Sequence, residues 1–232
     1  MQRRKFTALL GALAAAAGLQ PEAQAANLSE TDAASGVRAA LERGALAAVG
    51  LLGKTDGFMG NPKVRIPLPG FLKDAAKLLK ATGQQKRIDE LMLAMNRAAE
   101  AAMPEAKAML VSAVKAMSVD DAVKVVKGGE TSVTQFFSDK TRIPLGLKFL
   151  PIVTRATEKV SLAAKYNAVA SKATSLGLMK KEEANIEHHV SAKALDGLFL
   201  MIGEEERKIR KDPVGTGSAI LQRVFGSLGR GG

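Results

Sequence analysis

Apolar residues recur at three- and four-residue spacing along nearly the whole chain, and no segment sustains a two-residue alternation. That rhythm belongs to amphipathic helices and leaves no run that reads as a half-buried strand. The expected fold class is all-α, a compact domain of about seven to nine helices. A chain of 232 residues, 47% hydrophobic and 25% charged, buries enough surface to fold as one domain without a metal or disulfide staple. Cysteine is absent, so disulfides, thiol nucleophiles, thiolate metal sites and lipid-modified cysteines are all excluded. With no Trp, one Tyr and 4% aromatics, stacking platforms for bases or sugars are scarce.

The first helix is expected to open at Ser29, to bury Val37, Leu41, Ala45, Val49 and Leu52, and to stop at Gly53. Residues 54–70 hold three prolines and several glycines around Phe58, Ile66 and Leu68, which predicts a long ordered loop rather than a helix. Helices are then expected over 71–81 and 85–103, with Pro104 starting or kinking another over 104–117. Ser118 and Asp121 spell a capping box for 119–127, closed by Gly128-Gly129. A segment from Thr131 or Ser132 to Lys140, a stretch over 144–157 punctuated by Pro144 and Pro151, and a helix over 159–175 follow. Residues 177–184 read as a connection. The most apolar helix is expected at 191–210, and a last short one at 218–226 docks Ile220, Leu221, Val224 and Phe225.

The amino terminus reads as an export signal. Arg3-Arg4-Lys5 precedes an apolar run from Phe6 to Leu19 and a small-residue site at Ala23-Gln24-Ala25, which predicts cleavage after Ala25. The run is about 14 residues, short of the ~20 of a membrane span. The expected domains are therefore a cleaved signal, 1–25, and a single helical domain, 26–232, in the periplasm. The Arg3-Arg4 pair leaves the general and twin-arginine routes both open. No other stretch is long and apolar enough to cross a membrane, and without cysteine there is no lipid anchor. Losing residues 1–25 lowers the formal charge from +11 to about +9, which favours acidic partners. After export these are anionic lipid, acidic glycan or an acidic envelope protein, with nucleic acid disfavoured.

No reaction motif stands out. His188 and His189 project about 100° apart on a helix and lack acidic partners at helical spacing, so they read as a solvated turn and no metal or cofactor is expected. A triad of Ser191, His189 and Asp196 lacks the strand-turn-helix elbow that presents such a serine. Glu206 falls on the apolar stripe of its helix, where a carboxylate must be paired, and Arg210 four residues on is the nearest partner. One reading gathers Asp196, Glu206 and Arg210 with Arg65 of the long loop into a polar centre. An enzyme using Asp196 and Glu206 as acid and base, with Arg65 or Arg97 stabilising an anion, is the alternative to a binding protein.

The loop Asp56-Gly57-Phe58-x-Gly60-Asn61-Pro62-x-Val64-Arg65-Ile66-Pro67-Leu68-Pro69 closely resembles a bacterial exported family called domain of unknown function 4197. Asn96-Arg97-Ala98-Ala99-Glu100, Phe136-Phe137 with Lys140-Thr141, Lys165-Tyr166-Asn167 and Lys193-Ala194-Leu195-Asp196-Gly197 continue the likeness in order over about 28–226. The resemblance implies an all-helical envelope protein and no mechanism. It points to Asn61, Arg65, Asn96, Arg97, Glu100, Lys140, Tyr166, Asn167, Lys193 and Asp196 as candidate ligand- or partner-binding residues, beside Glu206 and Arg210. The leading expectation is a binding or interaction protein that recognises an anionic or amphipathic ligand or a protein partner through the 54–70 loop and the 191–210 helix.

Overall fold

A computed structural model describes residues 30–175 and 185–212. Among these the chain is all-helical: α1 (Glu30–Leu52), α2 (Gly70–Ala81), α3 (Gln85–Lys115), α4 (Val119–Lys127), α5 (Ser132–Thr157), α6 (Ser161–Ser175) and α7 (Ile186–Lys211). The expected signal segment, the Ser29 start, the 177–184 connection and the 218–226 helix lie outside the described residues.

The long helices α1, α3, α5 and α7 form the body around one apolar cluster in which Phe58, Phe137, Phe149, Leu91, Met95 and Met103 are fully buried. Helices α5 and α7 run antiparallel. Val133 lies near Glu206, Arg142 near Asp196, and Thr157 near Glu187. The capping box forms as the spacing predicts: Ser118 Oγ accepts from Asp121 N–H and Asp121 Oδ2 accepts from Ser118 N–H. After α2 the chain turns at Gly83, whose φ of 76° suits a residue without a Cβ.

Three helices differ in their bounds from the sequence reading. Helix α3 passes straight through Pro104, so 85–103 and 104–117 are one element. Likewise α5 runs unbroken through Pro144 and Pro151. An interior proline costs about 3 kcal/mol in lost hydrogen bonding and ring contact. The α3 stripe nevertheless continues across the proline through Ala102, Met103, Ala106 and Leu110, all fully buried. In α5 buried residues fall every fourth position from Val133 to Thr157. All three proline rings are exposed, so each helix keeps its core face intact. Helix α7 begins at Ile186 rather than near 191, because Asn185 caps it by accepting from His188 N–H. His189 is thereby buried in the first turn instead of lying in a solvated one.

Candidate functional site

The segment from Gly53 to Pro69 is an irregular connection between α1 and α2, and side chains of α3 hold it in place. Gly57 must be glycine, because a Cβ there would clash with the Leu52 carbonyl oxygen. Phe58 then drops into the core against Gly197 of α7, where a Cβ would meet the Phe58 ring at 2.8 Å. Two backbone donors beside it are satisfied by one buried carboxylate: Glu100 Oε1 accepts from Phe58 N–H at 3.0 Å and Met59 N–H at 3.1 Å. Arg97 neutralises Glu100 at 2.6 Å and reaches Asp56, a residue with φ of 64°, at 2.8 Å. The Glu100 hydrogen bond is the main reason the Arg97 guanidinium is held even more firmly protonated than usual. Further along, buried Asn96 accepts from Ile66 N–H at 2.8 Å and donates to Ile66 O at 3.1 Å. Asn61 Oδ1 accepts from Lys63 N–H, and His189 Nε2 lies 2.9 Å from Pro67 O.

Held this way, residues 63–67 stand opposite one face of α7. A groove of about 250 Å³ opens between them, lined by Lys63, Arg65, Lys193, Asp196 and Leu200 among others. Its charges are unequal in status. Lys63 bonds Glu204 at 2.8 Å, which is the largest cause holding that carboxyl below its ordinary range. Asp196 is shared between Lys193 at 3.2 Å and Arg142 at 2.9 Å, and Arg142 also lies 4.8 Å over the Phe199 ring. Arg65 is exposed and its guanidinium has no hydrogen-bond or ion-pair partner among the described residues. The groove thus presents one uncompensated cation beside the half-exposed aliphatic Leu200.

A family described as "Protein of unknown function (DUF4197)" matches residues 27–226. The chain belongs to this family. Comparison with curated proteins and with solved structures finds no match.

In this DUF4197 chain the twelve residues singled out from the sequence separate into several places. Asn61, Asn96, Arg97 and Glu100 fix the loop, while Arg65, Lys193 and Asp196 line the groove. Glu206 and Arg210 pair at 2.9 Å, with Glu206 buried. Glu206 also accepts weakly from the N–H groups of Val133 and Thr134, and Arg210 donates to Val125 O and Ser132 Oγ. This joins α4, α5 and α7. Asn167 donates to both oxygens of Glu187 and accepts from Ile186 N–H, while Thr157 donates to Glu187, tying α6 and α5 to the start of α7. Tyr166 is buried and Lys140 exposed.

The polar centre joining Asp196, Glu206, Arg210 and Arg65 is not formed. Asp196 and Glu206 are ten positions apart on α7, a rise of about 15 Å. Asp196 is exposed and held by two cations, whereas Glu206 is closed off by Arg210, so the pair cannot flank one substrate as acid and base. Among the described residues no group of three His, Asp or Glu is placed to hold a metal ion. Sequence reasoning missed Lys63, Arg142 and the role of Glu187, and set His189 in a solvated turn. Only the last two left a signal, in Asn185 as a cap with Glu187 in the first turn.

Proposed function

We propose that the protein is an exported, periplasmic helical binding protein that takes a small anionic or amphipathic ligand in the groove between residues 63–67 and α7. Export rests on the signal-like residues 1–25; N-terminal sequencing of the mature protein is expected to begin at Ala26. The observation that carries the binding reading is Arg65, an unpaired guanidinium at a groove whose other charged side chains each have an ion-pair partner. A guanidinium recognises carboxylate or phosphate through paired donors, and Leu200 beside it suits a short apolar group. A volume of about 250 Å³ lies just under the usual range for small-molecule sites, which fits a headgroup-sized ligand better than a whole lipid.

Native mass spectrometry of mature protein gently isolated from its own envelope tests this. A retained anionic mass is expected on the wild type and is lost from Arg65→Glu, while circular dichroism stays unchanged. A charge-assisted guanidinium contact contributes about 1.5–3 kcal/mol, so reversal weakens binding by at least about tenfold. A ligand retained equally by Arg65→Glu removes the groove from consideration.

A further inference from the structure

Helix α5 carries a second apolar row on the face turned away from the core. Its buried row steps by four residues through Phe137, Thr141, Leu145 and Phe149. The row offset by half that step, Ile143, Leu147 and Pro151, is exposed. Ile143 is 80% exposed and Leu147 71%, against 44% for the next large apolar side chain described. Single exposed aliphatics are ordinary, but these two are neighbours one turn apart and stand among cations. Lys140, Lys148 and Arg155 are exposed around them; of the four basic residues of α5 only Arg142 is taken elsewhere, by Asp196, and the one acid, Asp139, lies one turn before Ile143 and accepts from Gln135. Lys148 meets Glu105 only at 3.5 Å, a pair open to solvent on both sides and therefore screened.

We propose that this face of α5 docks on an anionic lipid bilayer, with Ile143 and Leu147 entering the headgroup–acyl boundary while Lys140, Lys148 and Arg155 meet the phosphates. Charge and area together select this occupant. A parallel second copy stacks Lys140 on Lys140 and opposes like charges. An antiparallel copy about Leu147 sets Asp139 opposite Arg155, but it joins only Ile143 and Leu147 from each copy as large exposed apolar side chains of α5, well short of the ~800 Å² per partner that a stable interface buries. A protein partner usually engages aromatic anchors, and this row offers only aliphatic tips. A basic helix face with a shallow apolar ridge is what an interfacial contact uses, gaining both from apolar burial and from each cation near the lipid surface. The surface shares no residue with the groove and does not depend on the reading of it.

Because the chain has no cysteine, Leu147→Cys gives a single attachment point for an environment-sensitive fluorophore on the mature chain. Vesicles of phosphatidylglycerol and phosphatidylcholine are expected to shift its emission to the blue, pure phosphatidylcholine to leave it unchanged, and added salt to reverse the shift. In co-sedimentation, Ile143→Ser/Leu147→Ser is expected to lose about tenfold or more of the binding to the anionic vesicles. Lys140→Glu/Lys148→Glu is expected to lose a similar share, and Arg65→Glu none. Equal binding by the Ser double variant, or loss with Arg65→Glu alone, overturns the assignment. A label already shifted without vesicles also overturns it, in favour of a second copy if light scattering gives a dimer mass and of the chain's own cover if it gives a monomer.

Discussion

Glu100 shows how one side chain can matter more for where a backbone lies than for any chemistry. Its two oxygens satisfy Phe58 N–H, Met59 N–H and Arg97 together, in a position closed to solvent. Glu100→Ala strands two amide donors and leaves Arg97 with Asp56 alone. The expected loss is about 3–5 kcal/mol in urea unfolding; an unchanged midpoint would mean that Glu100 serves a ligand rather than the loop. Gly57→Ala is expected to be comparably severe, since the added methyl meets a backbone carbonyl that cannot turn aside. The carboxylates with depressed values sit at the periphery. Glu204 is lowered chiefly by Lys63, and Asp121 chiefly by the backbone N–H of Ser118. Both titrate lower folded than unfolded, so the unfolded chain takes up protons first as pH falls. Their stabilisation is present above the ordinary carboxylate values and is lost below about pH 4. Acid titration of Lys63→Met, which leaves Glu204 only its pair with Arg207 at 3.2 Å, is expected to show a smaller loss through that window.

At the scale of elements, legibility followed locality. The Ser118 capping box needs only residues three apart and formed as read, so Ser118→Ala is expected to cost about 1 kcal/mol in thermal unfolding without moving neighbouring helices. The Glu206–Arg210 pair, four apart on one stripe, was legible for the same reason. The prolines were misleading because their penalty is local while its compensation is not. Leu145, Phe149 and Val153 keep α5 continuous by contacts that no window of sequence displays. His189 reads from the sequence as part of a solvated turn, because its partner is a carbonyl 122 positions away. Candidate residues quoted from the family segments proved to be of two kinds that sequence alone cannot separate. Asn96 and Glu100 are spent on the loop backbone, and Arg65 is not.

For the whole molecule, the seat of the loop on α7 is the joint on which the groove depends. Gly197→Ala is expected to push Phe58 outward and destabilise the protein by about 1–3 kcal/mol. It should widen the groove, so that the variant still folds but holds the ligand more weakly in the native mass measurement. The described helices include none long and apolar enough to cross a membrane. The proposed ligand capture in the groove and the proposed lipid contact along α5 share no residue, so mutation is expected to separate them.

The hydrogen bonds that Asn96 and Glu100 make to the loop have a consequence for time rather than for shape. The amides of Phe58, Met59 and Ile66 all donate to side-chain oxygens buried beneath them. They can exchange with deuterium only when the loop lifts from α3. In a hydrogen-exchange experiment these three non-helical amides should persist as long as those inside the long helices. One wall of the groove is then already rigid before anything arrives, and an incoming ligand meets it without first having to order the chain.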